Sequence, residues 1–350
     1  MAGGIGSRMW PAGKTQKPKQ FLDVLGVGRS LIQQTFDRCL DIAPLENIFI
    51  LTHSDYKDLV RAHLGQLPIE NILCEPYRRN TAPCIAYGIF KISEQNKNAN
   101  IVITPSDHLI LDVAKYNENI LETLDFTSKT TNIAILGIKP STPNTGYGYI
   151  QFDNTELDNF YPVRLFTEKP NLELAQTFLD SGDFLWNSGI FIANVATFLK
   201  SYEKYSSEIY AIFDDIKTEL GSSAEEDAIQ TAFMQCPSIS FDYAILEHSK
   251  NIYVMPVSFG WSDLGTWGSI YNASPKDTND NVVNAKNAAL YNTQNCVVFA
   301  ENHKLVLIDG LKDFIIVDSK EALMICPTSK EQEIKNYVTE LKKSKGEKYF

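Results

Sequence analysis

The sequence predicts an α/β protein in two parts: a large domain on a mixed, mostly parallel sheet over residues 1–279, and a small β-rich domain over residues 280–350 that ends in a helix. Three observations predict it. The chain has 350 residues, 44% apolar and 21% charged, which is a globular composition and enough for about two domains. Helix-like and strand-like patterns alternate from residue 30 to about 140, as crossover units on a parallel sheet require. After about residue 280 long helical patterns stop and short β-rich pieces take over.

In chain order, Ser30 can cap a helix whose Leu31, Phe36, Cys39 and Leu40 are apolar, and residues 47–52 (NIFILT) read as the strand that follows. Thr81 and Pro83 open a second helix with Ile85, Ile89 and Ile92 on one face. The short buried strand 101–104 runs into Pro105, Ser106, Asp107 and His108, so Asp107 falls at a strand's carboxyl end, where open α/β sheets place their ligands. A strand at 133–137 leads to a Pro-, Thr- and Gly-rich loop containing Gly146, Tyr147 and Gly148. Residues 163–170 and 189–195 read as strands, 171–181 and 196–217 as helices, and the acidic run 222–227 as a solvated turn or helix start. Four β pieces follow at 296–300, 305–309, 314–318 and 322–326, and then a helix with Ser329 and Gln332 spaced for a capping box.

Charge narrows the function. With 32 basic and 43 acidic residues the net charge is −11, which argues against nucleic-acid or anionic-membrane partners. No apolar run approaches the ~18 residues of a membrane span and no signal peptide is evident, so the expected address is cytoplasmic. The six cysteines are scattered without zinc spacing and read as reduced core residues.

Any anionic ligand must therefore be met locally. The first 22 residues hold Arg8, Lys14, Lys17 and Lys19 and no carboxylate, with Gly3, Gly4 and Gly6 leaving backbone N–H groups open to close approach. Such groups suit a polyphosphate, although the loop is neither a Walker A loop nor a dinucleotide fingerprint. Asp107 and the distant Asp263, in Trp261–Trp267, are a candidate pair for a hard cation such as Mg²⁺, which needs only one or two carboxylates. Taken singly, each of these features, like Glu168-Lys169-Pro170 and Asn187-Ser188-Gly189, also passes as a turn or cap.

Their conjunction is more specific. Ala2-Gly3-Gly4-Ile5-Gly6-Ser7-Arg8, Pro18-Lys19-Gln20-Phe21, Pro105-Ser106-Asp107-His108, Phe166-Thr167-Glu168-Lys169-Pro170 and Trp186-Asn187-Ser188-Gly189 occur in the order seen in sugar-1-phosphate nucleotidyltransferases. With Trp10-Pro11, Glu75-Pro76, Asn80-Thr81-Ala82-Pro83 and Trp261–Trp267, the chain resembles, over nearly its whole length, the short-form mannose-1-phosphate guanylyltransferases, or GDP-mannose pyrophosphorylases.

The resemblance implies a Rossmann-like catalytic domain, a short left-handed β-helix after it, a homodimer, and the reaction of GTP with mannose 1-phosphate to give GDP-mannose and pyrophosphate. It implies that Gly3, Gly4, Ser7 and Arg8 cradle the GTP phosphates, that Lys19 stabilises charge at the α-phosphate, and that Asp107 and Asp263 hold Mg²⁺ or another divalent cation. Glu75, Asn80 and Thr81 would read the base. Gly146 and Tyr147 would shape the sugar pocket, Glu168 and Asn187 would bond hydroxyls, and Lys169 would meet the sugar phosphate. His108 would be structural, and the tryptophans pocket walls or core. The alternatives are a nucleotidyltransferase for another hexose 1-phosphate, or a non-catalytic nucleotide-sugar-binding regulatory subunit. In the family a hydrophobic strand precedes the glycine loop. Here the loop begins at Met1, so that strand is expected to be missing, with the true start lying upstream.

Overall fold

The computed structural model describes residues 1–4, 6–300 and 304–350. Ile5, within the glycine loop, lies outside the described residues, as does the side chain of Ser7.

Strands β1 (Ile50–His53), β2 (Ile72–Glu75), β3 (Asn100–Ile103), β4 (Leu109–Ile110), β5 (Ile133–Ile138), β6 (Gly148–Phe152), β7 (Tyr161–Glu168), β8 (Phe184–Asn194), β9 (Ile252–Val257) and β10 (Trp261–Ser262) form the first region. Its helices are α1 (Leu31–Leu40), α2 (Lys57–His63), α3 (Thr81–Gln95), α4 (Val113–Ser128), α5 (Leu172–Ser181), α6 (Val195–Tyr205), α7 (Ser207–Asp215), α8 (Glu225–Gln235) and α9 (Trp267–Ala273). Local chemistry sets several starts. Ser30 and Gln33 form a reciprocal capping box on α1, and Asp112, Asn171 and Asn194 accept backbone N–H groups at the starts of α4, α5 and α6. The helix expected over 196–217 is two, because Ser206 leaves helical geometry between α6 and α7.

The central sheet has six strands in the order β3-β8-β5-β9-β7-β6. It is mixed, as expected, but with fewer parallel pairs than the pattern suggested: β5 pairs parallel with β9, while the long β8 runs antiparallel to β3, β5 and β6. Strands β1 and β2 pair parallel in a separate sheet. Between the two sheets lies an apolar cavity of about 810 Å³ lined by Ile32, Ile50, Ile85, Ile89, Ile101 and Ile103 among others. Met1 and Ala2 stand at one end of it. The Ala2 N–H donates to the Leu51 carbonyl at 2.7 Å, the Met1 ammonium to the Thr104 carbonyl at 2.9 Å, and the Ser106 N–H to the Met1 carbonyl at 3.0 Å. No strand among the described residues runs between β1 and β3.

In the second region β11 (Val282–Asn284), β13 (Val297–Ala300) and β15 (Phe314–Asp318) stack in parallel, as do β12 (Ala288–Tyr291) and β14 (Val306–Asp309). β16 (Leu323–Pro327) closes the stack antiparallel to β15, before α10 (Ile334–Lys345). Such coils bury one side chain above another, as in the register Val282, Val297, Ile315. The capping box expected from Ser329 and Gln332 does not form. Residues Thr328–Glu333 are a 3₁₀ turn with Lys330 outside helical geometry, and Glu331 instead accepts from the Gly268 N–H at 2.7 Å.

The two regions share a core. Met9, Leu31, Leu264 and Trp267 pack with Ile315, Val317, Ile334 and Phe350 in one buried cluster. The glycine loop and the Asp263 segment are therefore both seated against the C-terminal domain.

Candidate active site

The glycine loop is held from behind. Gln20 donates through its side-chain amide to the carbonyls of Ala2 and Gly4, at 2.8 and 3.1 Å, which leaves the front of the loop open. Gly6 has φ +64°, and a β-carbon there would sit 2.9 Å from that of Lys19, so only glycine lets the loop close over the Lys19 stem. At Gly3 a β-carbon would come within 2.8 Å of Glu75 Oε1. Gly4 meets nothing within 4 Å and is exposed.

Lys19 joins the pieces. Its side chain is 7% exposed; Nζ lies 2.9 Å from Asp107 Oδ2 and donates to the Asp263 backbone carbonyl at 2.5 Å. Residues far apart in the chain thus meet at one ammonium group. Burial alone would push the Asp107 carboxyl up, but the charges of Lys19 and His108 outweigh it and hold the group below its ordinary value. The loop carrying Asp107 is braced by α1: Thr35 donates to the Ser106 carbonyl and Arg38 to the His108 carbonyl, each at 3.2 Å.

Asp263 is oriented by two donors, the Tyr147 hydroxyl at 2.8 Å and the Gly265 N–H at 2.9 Å, both to Oδ1. Burial and then the Asp263 charge push the Tyr147 phenol well up, so it stays a donor. His108 is tied to the Trp261 indole N–H at 3.1 Å, and burial lowers its pKa. Among the described residues no cluster of three or more His, Cys, Asp or Glu could hold a metal. Lys19 thus touches the Asp107 carboxylate and the Asp263 backbone carbonyl, and one or two carboxylates are what a hard cation needs when it takes the rest of its oxygens from phosphate and water.

A cavity of about 490 Å³ opens here, lined by Arg8, Tyr147, Lys169, Trp186, Trp261 and Asp263. Glu331 and Gln332 also line it, so the C-terminal domain reaches the site. Trp10, two residues beyond Arg8, donates to the Tyr349 carbonyl at 2.9 Å and stacks on Phe350. Of the other tryptophans, Trp267 is core, and Trp186 and Trp261 pack edge-on against Tyr147.

The remaining candidates flank this centre. Glu75 ends β2; burial pushes its carboxyl up to about 7, and its Oε2 is buried without a partner. Asn80 and Thr81 start α3 nearby, but their oxygens are already engaged, Asn80 Oδ1 with the Thr81 N–H and Thr81 Oγ1 with the Phe241 N–H. Glu168 ends β7 and pairs with the Lys169 ammonium; a β-carbon on Gly148 would come within 2.7 Å of its Oε2. The Gly146 N–H is held by Asn144 Oδ1 at 2.8 Å. Asn187 lies inside β8 rather than in a turn. Asn80, Lys169 and Leu264 all have positive φ without being glycine, and strain of this kind gathers where a site demands it. Nothing in the sequence singles out Arg38 or Asp242, whose roles come from tertiary contacts alone.

Comparison with known proteins bears on the family and the fold. Residues 1–280 match the nucleotidyl transferase family and residues 286–341 the MannoseP isomerase/GMP-like beta-helix domain. A mannose-1-phosphate guanylyltransferase of Salmonella montevideo is 34% identical over 98% of this chain and 73% of its own. The alginate biosynthesis protein AlgA of Pseudomonas putida is 33% identical over 97% of this chain and 70% of its own. A crystal structure from Thermus thermophilus, described as a mannose-1-phosphate geranyltransferase, superposes with TM-score 0.88 at 25% identity over 98% of both chains. By sequence and fold, the chain belongs to the nucleotidyl transferase family, among the mannose-1-phosphate guanylyltransferases.

Proposed function

We propose that this protein transfers GMP from GTP to α-D-mannose 1-phosphate, releasing pyrophosphate and forming GDP-mannose. The observation that carries the reading is that the buried Lys19 ammonium, just behind the glycine loop, pairs with the Asp107 carboxylate and donates to the Asp263 backbone carbonyl, with Asp263 and Arg8 lining one cavity. Both reactants are anions, and the attacking oxygen belongs to a phosphate monoester already largely ionised near neutrality. No side-chain nucleophile is needed; alignment and positive charge dominate.

In this scheme the N–H groups of the glycine loop, with Ser7 and Arg8, hold the triphosphate. Lys19 faces the α-phosphate, and Lys169 meets the sugar phosphate. An oxygen of mannose 1-phosphate forms a bond to the α-phosphorus as the bond to the β-phosphate bridging oxygen breaks, and the electron pair leaves with pyrophosphate. A divalent cation such as Mg²⁺, held by Asp107 and Asp263, would supply charge neutralisation at the phosphate oxygens.

Guanine recognition is assigned to the Glu75 end of β2. Its buried, unpartnered Oε2 accepts what guanine offers, N1–H and N2–H donors, whereas adenine presents an acceptor at N1. Glu168 and Asn187 meet the mannose hydroxyls, with Gly146 and Tyr147 shaping the wall. The protein works in the cytoplasm as a homodimer, the C-terminal domain making the contact; the six unpaired cysteines suit that compartment.

Pyrophosphate release from four NTPs, each with mannose or glucose 1-phosphate and with or without Mg²⁺, tests the reading. GTP with mannose 1-phosphate and Mg²⁺ is expected to be fastest, and a preference for UTP or dTTP overturns it.

A further inference from the structure

Beside the proposed sugar groups lies a residue to which none of the motifs drew attention. Asp242 opens a π-helical turn, Asp242–Leu246, a rare geometry that recurs at functional sites. The turn is fastened to both halves of the site. Ahead of it, the Ala82 N–H donates to the Ile239 carbonyl at 3.1 Å and the Phe241 N–H to Thr81 Oγ1 at 2.8 Å, so it is joined to the start of α3. From β8, Asn187 Nδ2 donates to Asp242 Oδ1 at 2.9 Å.

The second bond of Asn187 matters equally, since its Oδ1 accepts the Gly189 N–H at 2.9 Å. The amide is fixed at both ends. Asp242, by contrast, is a carboxylate with room for about four donors, and Asn187 is the one side chain whose hydrogen bond to it is seen among the described residues. Glu168 at the end of β7 and Lys169 just after it act on its charge, and Glu247 and His248 lie beyond it on its own segment. Burial first, and then the Glu168 charge, raise the Asp242 carboxyl to about 6, against the smaller opposing effects of its own N–H, Lys169 and Asn187. Two carboxylates close enough to repel, one of them bonded to a fixed amide, match a ligand that brings neighbouring O–H donors and no further negative charge on that side. A pyranose ring carrying adjacent hydroxyls is such a ligand.

We infer that Asp242 is a further sugar-recognition residue, whose carboxylate accepts a hydrogen bond from a ring hydroxyl of the hexose 1-phosphate next to the Asn187 amide that it holds in place. The inference rests on the proposed function and deepens it. A sugar hydroxyl donating to Asp242 and its neighbour donating to Glu168 ease the repulsion between the two acids, and an epimer that turns one hydroxyl away loses one of those bonds. Asp242 thereby contributes to specificity as well as to affinity.

The test is steady-state kinetics of Asp242→Asn and Asp242→Glu beside the unaltered protein, at pH 5.5 and 7.5, with thermal melts to certify folding. The Asn variant is expected to raise KM for mannose 1-phosphate about tenfold at pH 7.5, to leave KM for GTP within twofold, and to narrow the preference for mannose over glucose 1-phosphate. In the unaltered protein KM for the sugar phosphate should climb as pH falls through about 6, where Asp242 takes up a proton. The substrate phosphate also titrates there, but equally for every variant, so the climb should be shallower in the Asn variant and retained in the Glu variant. Equal losses for both substrates, or an unchanged KM and pH profile in a folded Asn variant, overturn the inference. Absence of any nucleotidyl transfer by the unaltered protein overturns the proposed function instead.

Discussion

Replacing Lys19 by methionine removes the ammonium group and keeps most of the stem. In the structure this strips Asp107 of its 2.9 Å partner and the Asp263 carbonyl of its 2.5 Å donor. Breaking a buried ion pair from one side typically costs about 3–5 kcal/mol, because the other charge is left without compensation. Here the Asp107 side chain is 29% exposed, so water relieves part of that cost, and a loss of about 2–3 kcal/mol is expected. For a chain of 350 residues that corresponds to a fall in Tm of roughly 3–4 °C. The catalytic effect should be larger, a drop in kcat of about 10²–10³, the magnitude seen when one preorganised donor to developing charge is removed. The double variant Lys19→Met/Asp107→Asn separates the two effects. With both charges gone it should regain at least half of the lost stability while remaining as inactive as the single variant. Calorimetry and pyrophosphate release on the same samples provide the readings. A folded single variant with wild-type Tm and with kcat within threefold of wild type refutes the reasoning.

Three further outcomes follow from other parts of the structure. Extending the chain by five or six alternately apolar residues ahead of Met1 should raise Tm by about 3 °C, since a strand in the cavity between β1 and β3 gains both ladders and a net ~2 kcal/mol after ordering costs; an unchanged melt sinks that idea. Glu75 has a folded-state pKa near 7, above its usual 4.5, so the native form holds its proton more tightly and stability should fall as pH rises from 4.5 to 7. Glu75→Gln should therefore stabilise the protein at pH 8 relative to pH 5, by up to roughly 3 kcal/mol, as melts at the two pH values will show; an equal effect at both pH values contradicts it. Tyr147→Phe removes the hydroxyl that orients Asp263, and the Mg²⁺ concentration giving half-maximal rate should rise about tenfold, as befits a hydrogen bond to a charged acceptor; an unchanged Mg²⁺ titration speaks against that role.

What the sequence made legible was local chemistry with an unmistakable spacing. Asp107 could be placed at a strand's carboxyl end because 101–104 is apolar and Pro105 stops it, and β3 does end at Ile103. Residues 186–189 were harder. Asn-Ser-Gly reads as a turn, yet it lies within β8, where the pairing with β5 shifts register between Ile135 and Gly137. There Ser188 donates its hydroxyl to the Leu136 carbonyl at 2.6 Å and Gly189 takes φ +72°. An irregular strand of this kind carries turn residues because its ladder is locally broken and side chains take over the bonding.

The failures share a cause. Arg38 and Asp242 act through partners 70 and 55 positions away, and no window of sequence contains such a pair. The capping box expected from Ser329 and Gln332 fails where residues Thr328–Glu333 form a 3₁₀ turn whose Glu331 accepts from the distant Gly268 N–H. Even the polarity of the glycine loop, evident from the sequence, needed the fold to show that Gln20 holds its back and leaves its front free.

The most direct measurement is a crystal structure of the protein with GDP-mannose and Mg²⁺. The account predicts the diphosphate between the glycine loop and Lys19, the cation touching Asp107 and Asp263 together, and the mannose ring beside Glu168 and Asn187. A diphosphate bound elsewhere, with those two aspartates dry and unligated, would contradict it.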